Sequence, residues 1–247
     1  MRGVPRIAEV HAAHGRIRGV IHRTPVMTCA TLDALSGHQL FFKCENLQRV
    51  GAFKFRGASN AVMSLSEADA ARGVCTHSSG NHAQALARAA RDRGIRAWIV
   101  MPSNAPAIKR DAVEGYGATV ISCEPTLEAR ETTASAIQAD TGAHFIHPYD
   151  DPHVIAGQGT AAVELLDQVD RLDAIVAPIG GGGLMSGTCI AAAAIRPNVR
   201  LIGAEPVGAD DAARSLEAER LIPQTAPDTI CDGLLTSLSE LTWSILS

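Results

Sequence analysis

The stretch Ala174-Ile175-Val176-Ala177-Pro178-Ile179-Gly180-Gly181-Gly182-Gly183-Leu184 decides the fold of this chain. Its first five residues form a continuous apolar run, which is typical of a strand buried on both faces of a parallel sheet. Four glycines follow shortly after, and a helical segment is predicted at residues 187–194. In open α/β sheets, ligands collect at the carboxyl ends of strands, against helix N-termini. This stretch therefore predicts both the fold class and one wall of a binding site.

The same alternation of strand and helix runs along the whole chain. Short apolar runs predict strands at residues 39–43, 74–77, 97–101, 119–122, 144–147, 174–178 and 201–204. Helical segments are predicted at residues 54–66, 81–93, 127–139, 159–167, 187–194 and 210–218, and a further helix begins near Ser239. Continuous apolar strands separated by helices predict an α/β fold with a mostly parallel sheet that helices cover on both faces.

Composition excludes several classes of protein. The 247 residues are 46% hydrophobic and carry a net charge of −4 without a Lys/Arg run, so no nucleic-acid partner is expected. No apolar stretch reaches the roughly 20 residues that span a bilayer, and the first thirty residues do not resemble a signal peptide, so no membrane partner is expected. Six scattered cysteines without a CxxC pair predict reduced thiols in a cytoplasmic enzyme.

The run Gly180–Gly183 predicts an anion site. Without Cβ atoms the backbone N–H groups are unshielded, and at a helix N-terminus they form a cradle suited to a phosphate monoester. The alternative is a flexible turn, although glycine is a costly filler in a packed sheet. The loop lacks the GxGxxG spacing of a dinucleotide fold and the Gly-Lys-Ser/Thr of a Walker A loop.

Lys54 is the candidate nucleophile. It lies between Phe53 and Phe55, after the small residues Gly51 and Ala52, where a helix is predicted to begin. An ammonium group held between aromatic rings is desolvated, which lowers its pKa. A lysine in that state can condense with an aldehyde. The alternative is that the rings only pack on its aliphatic stem.

The segment Ser78-Ser79-Gly80-Asn81-His82 follows the strand predicted at residues 74–77. One interpretation is a helix N-cap, in which Ser78 or Ser79 accepts the first helical N–H groups. The other is a site where the hydroxyls, the Asn81 amide and free N–H groups bind a small carboxylate and the polar edge of a cofactor. The pattern alone leaves these two interpretations nearly even.

Three ordered motifs, residues 46–58, 78–87 and 180–184, together resemble the serine/threonine dehydratase and serine racemase family. These are fold-type II pyridoxal-phosphate enzymes, and the likeness runs from about Ile17 to Trp243. The resemblance implies a two-lobed fold like the tryptophan synthase β subunit, with open, mostly parallel sheets. It also implies a small domain, residues 51–147, inside a large cofactor-binding domain of residues 1–50 and 148–247.

The resemblance also implies the roles of the site residues. Lys54 would hold the cofactor covalently and remove the substrate Cα proton, and a Ser79 hydroxyl on the opposite face would allow racemisation. The cofactor-binding residues would be Phe53, Lys54, Asn81, Gly180, Gly181, Gly182, Gly183 and Leu184. The substrate carboxylate would be received by Ser78, Ser79, Gly80, Asn81 and His82.

The acidic segment at residues 205–211 is a candidate metal site. By the resemblance, Glu205, the Ala209 carbonyl and Asp211 would bind Mg²⁺ or another divalent cation, which prefers oxygen ligands. The alternative is a solvated acidic turn with Asp210 as the cap of a helix.

The resemblance implies a pyridoxal-phosphate ammonia-lyase that converts L-threonine or L-serine into a 2-oxo acid and ammonia. Serine racemase or threo-3-hydroxyaspartate dehydratase is the alternative, and a non-catalytic remnant is an alternative of another class. A small amino-acid substrate and a homo-oligomer are expected. The chain stops at Ser247, inside a predicted helix, where the family usually continues. A C-terminal truncation is therefore expected, and no partner for the pyridine nitrogen can be assigned.

Overall fold

A computed structural model describes residues 3–247 of the chain. The helices of this part are α1 (Ile7–Ile17), α2 (Ala30–Ser36), α3 (Lys54–Ser64), α4 (Glu67–Arg72), α5 (Asn81–Arg93), α6 (Ala107–Gly115), α7 (Leu127–Thr141), α8 (Pro152–Gln168), α9 (Gly183–Ile195), α10 (Asp211–Glu217) and α11 (Glu240–Leu246). The strands are β1 (Val26–Met27), β2 (Phe42–Lys43), β3 (Val74–His77), β4 (Ala97–Pro102), β5 (Thr119–Cys123), β6 (His144–Phe145), β7 (Ala174–Pro178) and β8 (Arg200–Ala204).

The larger sheet has four parallel strands in the order β5-β4-β3-β6. At its centre Val74 of β3 pairs with Ala97 of β4, and the register continues to His77 and Val100. Helices α5 and α7 pack against these strands. The prediction of an α/β fold with parallel strands and flanking helices is confirmed. Because the strands run the same way, the loops that follow β3, β4 and β5 leave from one edge of the sheet.

A second parallel pair joins β7 and β8, with Ala174 beside Arg200. Helix α9 packs on β7, and α8 packs on α9 so closely that a Cβ on Gly187 would lie 2.5 Å from the Gly159 nitrogen. Strands β1 and β2 form a short antiparallel pair. Val176 of β7 is 63% exposed. Within residues 3–247, β7 is therefore covered on one face only. Its apolar sequence predicted burial on both faces.

The main hydrophobic core lies beneath α3, the helix that begins with Lys54. Phe55 of α3 is fully buried and shares this core with Leu86 of α5, Ile99 of β4 and Ile146. Burial of each of these side chains contributes about 1.5–3 kcal/mol. The first turn of α3 is thereby fixed to the four-stranded sheet.

Two helices begin earlier than the sequence predicts. Helix α8 begins at Pro152, where the Asp151 carboxylate accepts the N–H groups of His153 and Val154. Helix α9 begins at Gly183. Glycine lowers helix propensity, so the sequence prediction placed the first residue of both helices too late. The close packing of α8 on α9 stabilises these glycine-containing turns. The sequence prediction also lacks α1, α2, α4, α6 and β1.

The four strands of the larger sheet lie between residues 74 and 145. They fall inside the predicted small domain, residues 51–147, and the division into two domains stays a prediction. Within residues 3–247, no helix combines the length and apolar character that a membrane crossing requires.

Candidate active site

Lys54, the first residue of α3, points its amine at the loop that follows β6. Nζ donates a hydrogen bond to the Pro148 carbonyl at 2.9 Å. The ring centroids of Phe53 and Tyr149 lie 5.4 Å and 5.9 Å from Nζ. Part of the residue's surface stays accessible, yet burial around the amine lowers the pKa of Lys54 to about 8. The residue is therefore half-buried, while its amine is enclosed, held by a neutral acceptor and more readily deprotonated than that of an ordinary lysine.

The second aromatic neighbour of the amine is Tyr149, and the prediction of Phe55 in that place is wrong. Successive residues of a helix point about 100° apart, so the side chain of Phe55 turns away from Lys54 into the core. It is fully buried there. The prediction that two aromatic rings surround the Lys54 amine is therefore right, but the second ring belongs to Tyr149, which is distant in sequence.

Lys54 differs from the other two lysines of the chain in its partner. Lys43 is ion-paired with Glu164 at 2.7 Å, and Lys109 with Asp232 at 2.8 Å. Burial also lowers the pKa of Lys43, but the Glu164 carboxylate opposes that shift by favouring the charged form. Lys54 forms no ion pair within residues 3–247, and burial alone shifts its pKa. Of the three amines, Lys54 is the one suited to act as a nucleophile.

The loop at residues 147–151 is held by His147. Its Nδ1 accepts the N–H groups of Tyr149 at 3.3 Å and Asp150 at 2.8 Å. These bonds place the Pro148 carbonyl against Lys54 and lay the Tyr149 ring on the glycine loop. The Tyr149 hydroxyl also bonds the side chain of Thr236, and burial raises the pKa of Tyr149.

The run Gly180–Gly183 is packed so closely that side chains are excluded. A Cβ on Gly181 would lie 2.3 Å from the Tyr149 ring, and one on Gly182 would lie 2.7 Å from Leu238. Gly182 has φ 86°, in the left-handed region, and is the N-cap of α9 without a side-chain cap. The first N–H groups of α9 are thus left for an anion, whereas Thr126 and Asp151 cap α7 and α8.

The segment at residues 78–82 forms the turn from β3 into α5. The predicted serine N-cap is wrong, because Gly80 is the N-cap and has no side-chain cap. The Ser78 hydroxyl accepts the Gly80 N–H at 3.3 Å. Ser79 is half-buried and Asn81 is exposed, and neither side chain is hydrogen-bonded to another residue within 3–247. The start of α5 therefore offers free N–H groups, a hydroxyl and an amide.

His82, in the first turn of α5, is buried and neutral. Its Nε2 lies 3.2 Å from the Ile146 carbonyl, which must accept, so the proton is on Nε2. Burial, and then the charge of Lys54, lower the pKa of His82 to about 3. Its Nδ1 has no partner among the described residues. A neutral imidazole so close to Lys54 does not stabilise the ammonium form of the amine.

The acidic segment is engaged within the protein. Both Glu205 oxygens accept N–H groups at the start of α10, from Ala212 at 3.0 Å and Ala213 at 2.8 Å. Asp211 accepts the Leu238 N–H at 3.1 Å. Asp210 is the N-cap residue of α10, as that alternative predicts, but its side chain pairs with Arg214 and makes no capping hydrogen bond. Residues 3–247 contain no group of three or more His, Cys, Asp or Glu side chains placed to hold a metal.

Pyridoxal phosphate fits these residues. An aldehyde needs a neutral amine, which Lys54 provides, and a phosphate needs N–H groups without a competing cap, which the start of α9 provides. The Tyr149 ring lies against Gly181 and within 5.9 Å of the Lys54 amine, so it connects the two features. The site for Mg²⁺ or another divalent ion at Glu205, the Ala209 carbonyl and Asp211 stays a prediction.

Sequence reasoning missed three residues of this site: Pro148, Tyr149 and Arg130. The first two lie more than ninety residues from Lys54, and no motif links them to it. Arg130 lies in the first turn of α7, the helix that follows β5. Its charge helps to lower the pKa of His77, which burial lowers first.

The pKa of Lys54 gives a first testable prediction. The neutral amine reacts with aldehyde, so loading of the cofactor-free chain should speed up about tenfold per pH unit below the pKa and level off above it. We expect the midpoint near pH 8, whereas an ordinary lysine would give a midpoint near 10.5. The growth of absorbance at about 410 nm after mixing with pyridoxal phosphate measures this rate. A midpoint near the ordinary lysine value would contradict the burial of the amine.

Comparisons with known proteins show which family the chain belongs to. The family model "Pyridoxal-phosphate dependent enzyme" matches residues 17–247. The chain is 55% identical to the β-hydroxyaspartate dehydratase of Paracoccus denitrificans, over 97% of this chain and 76% of the relative. It is 50% identical to the serine racemase of Dictyostelium discoideum, over 97% and 75%.

Solved structures agree as well. The Dictyostelium discoideum serine racemase superposes with a TM-score of 0.95 at 49% identity, over 99% of this chain and 78% of that one. The maize serine racemase gives 0.97 at 48% identity, over 99% and 74%, and a threonine deaminase gives 0.93 at 45% identity, over 98% and 79%. The chain thus spans about three-quarters of the length of these relatives. It belongs to the family of pyridoxal-phosphate dependent enzymes of fold-type II.

Proposed function

We propose that this chain removes the α proton of a small β-hydroxy amino acid, as an enzyme of the serine racemase and β-hydroxyaspartate dehydratase branch. The observation that carries the proposal is the Lys54 amine, which has no carboxylate partner among the described residues and a pKa of about 8. The 55% and 50% identities to members of this branch support it. They favour the alternative over the threonine or serine dehydratase that the sequence prediction put first.

Substrate binding, phosphate binding and proton transfer are assigned to different residues. The start of α5 receives the substrate carboxylate on its free N–H groups, and the start of α9 holds the phosphate of the cofactor. Once bound, the cofactor supplies an electron sink that acidifies the Cα proton. Lys54, as a neutral amine, accepts that proton. The Ser79 hydroxyl lies in the turn that binds the carboxylate and would return a proton from the other face.

Two outcomes can follow removal of the α proton. If the β-hydroxyl leaves as water, the product becomes a 2-oxo acid and ammonia. If Ser79 returns a proton from the opposite face, the enantiomer forms. Chiral analysis of the products from L-serine and 3-hydroxyaspartate, with and without EDTA, tests the proposal and the metal site together. No turnover of either substrate would overturn it and favour the non-catalytic remnant.

Replacing Ser79 separates the two outcomes. In Ser79→Ala we expect D-serine formation from L-serine to fall about tenfold or more, because the second proton donor is lost. Elimination needs only Lys54 and should change by less than about threefold. Pyruvate and D-serine are measured in the same reaction. An equal fall of both products would show that Ser79 only binds substrate.

Arg130 supports a substrate with a second carboxylate. It is half-buried, its Nε donates to the Thr126 carbonyl at 3.3 Å, and it forms no ion pair within residues 3–247. Its charge acts on both His77 and Tyr149, so the guanidinium lies within electrostatic reach of these two residues. A free cation there suits the β-carboxylate of 3-hydroxyaspartate, which serine lacks.

Arg130→Met should therefore change specificity. We expect kcat/KM for 3-hydroxyaspartate to fall about 20-fold, and that for L-serine by less than about threefold, since only the former loses a charge partner. Arg110→Met is the matched control, because within residues 3–247 the Arg110 side chain, on helix α6, forms a single hydrogen bond, to the Ser122 hydroxyl. Equal losses for both substrates would contradict this role of Arg130.

A further inference from the structure

The turn that leads into Lys54 is strained. Val50 has φ 56° and ψ 15°, and Gly51 has φ 70°, so two successive residues adopt the left-handed region. A β-branched residue is an outlier there and persists only where its surroundings hold it. Lys54 follows shortly after, at the start of α3. Whatever holds this turn also sets the position of the amine.

Gln48 holds the entry to the turn. Its Oε1 accepts the N–H groups of His22 at 2.8 Å and Arg49 at 3.0 Å, and its Nε2 donates to the His22 carbonyl at 2.7 Å. Gln48 is buried. These bonds fix the backbone just before the strained residues, so Val50 cannot relax through a movement of the residues that precede it.

Glu45 and Arg56 lie on opposite sides of the turn and close it. Arg56 Nε and one terminal nitrogen bind the two Glu45 carboxylate oxygens at 2.7 Å and 2.8 Å. The Arg56 side chain is fully buried and that of Glu45 is 15% exposed. A bidentate pair fixes orientation as well as distance. The ends of residues 45–56 are therefore held in one relative geometry.

The pair is anchored from α8. Glu164 accepts two hydrogen bonds from Arg56, at 2.9 Å and 2.8 Å, and Lys43 binds the same carboxylate at 2.7 Å. The Thr24 hydroxyl donates to Glu45 at 2.6 Å. Two carboxylates and two cations balance in charge. A fully bonded buried network of this kind specifies a single arrangement.

We propose that the Glu45–Arg56 pair is a positioning clamp that imposes the strained conformation at Val50 and so aims the Lys54 amine at Pro148. Arg56 acts through the turn and does not itself contact the Lys54 amine, whose bond goes to the Pro148 carbonyl. The inference rests on the proposed function only for the statement that Lys54 is the reacting amine.

The test compares Arg56→Lys with Lys43→Met in the cofactor-loaded chain of residues 1–247. Lysine keeps the charge but cannot form the two-sided fork. We expect Arg56→Lys to lower kcat about 30-fold with KM within about threefold, because a small misplacement of a catalytic group is costly. It should also lower the visible circular dichroism per bound cofactor and speed amide hydrogen exchange in residues 48–55. Lys43→Met removes a cation from the same network without opening the clamp, so it should lower Tm and leave those readouts unchanged.

Val50→Gly supplies the decisive second variant. Glycine adopts the left-handed region freely, so the turn conformation then depends less on the Glu45–Arg56 pair. In that background Arg56→Lys should cost about threefold in kcat where it costs about 30-fold alone. An unchanged cost, or the same exchange and dichroism in Arg56→Lys as in Lys43→Met, would overturn the clamp.

Failure of the proposed function is distinguishable from failure of the clamp. If the wild-type chain bound no cofactor, kcat and dichroism would vanish and the proposed function would fail. Hydrogen exchange of residues 48–55 would still compare Arg56→Lys with Lys43→Met. Faster exchange in the first variant alone supports the clamp, and equal exchange overturns it. If Arg56→Lys does not fold, Glu45→Gln takes its place in the same comparison, because it keeps the shape of the pair and removes one charge.

Discussion

Lys54→Ala should abolish covalent cofactor binding and reduce turnover by about 10⁴-fold or more, since it removes both the nucleophile and the base. The absorbance at about 410 nm expected of the loaded enzyme should be missing. The fold should survive, because Lys54 contributes one hydrogen bond, to Pro148, and no ion pair within residues 3–247. Spectra and turnover of the purified variant measure both effects.

The other two lysines are the matched controls for this variant. Lys43→Met and Lys109→Met remove amines that are paired with Glu164 and Asp232. Both variants should keep the absorbance of the bound cofactor, although Lys43→Met should be less stable because it leaves part of Glu164 unpaired in a buried site. Loss of the absorbance in either of them, with Lys54→Ala still coloured, would show that the wrong amine has been assigned.

Gly181→Ala should raise the dissociation constant of pyridoxal phosphate about 100-fold. The new Cβ would lie 2.3 Å from the Tyr149 ring, and overpacking of this kind costs about 1–3 kcal/mol. Each 1.4 kcal/mol is about a factor of ten in affinity. The ring must move, and with it the loop at residues 147–151 that holds Lys54. Titration of the cofactor-free chain measures the constant.

Gly115→Ala is the matched control for the glycine loop. Gly115 lies at the end of α6, and a Cβ there meets no atom within 4 Å. This variant should bind the cofactor like the wild type and have an equal or slightly higher Tm, because alanine favours a helix. Wild-type affinity in Gly181→Ala would mean that the glycine loop does not form the cofactor pocket.

The sequence predicts those parts of the fold and site that are local. The strands β3, β4, β5 and β7 and the helix α5 lie close to where the sequence predicts them, and Gly94 closes α5 in the left-handed conformation. The glycine loop and the serine turn occur at strand ends, where ligands of such sheets lie. The assignment of Lys54, in turn, came from a continuous motif.

The rest depends on tertiary structure that no local pattern encodes. Pro148 and Tyr149 meet Lys54 only because β6 lies beside β3 in the four-stranded sheet. Phe55 was misplaced because sequence proximity does not give the direction of a side chain on a helix. Gly80 replaces a serine as the N-cap of α5, which leaves the Ser79 hydroxyl without a partner among the described residues.

The metal, the substrate and the assembly of the chain stay proposals. Burial raises the pKa of Glu205 first, and the nearby charge of Asp211 adds to that rise. A bound cation would reduce this repulsion, but it would have to compete with the N–H groups of Ala212 and Ala213 for the Glu205 oxygens. The homo-oligomer and the cytoplasmic location rest on the resemblance and the cysteine pattern alone.

The most direct measurement is the mass of the lysine peptides after borohydride reduction of the protein loaded with pyridoxal phosphate. Only three lysines compete, Lys43, Lys54 and Lys109. We expect that only the peptide containing Lys54 gains the mass of the reduced cofactor. Addition to Lys43 or Lys109 with Lys54 unmodified, or no addition to any lysine, would contradict it.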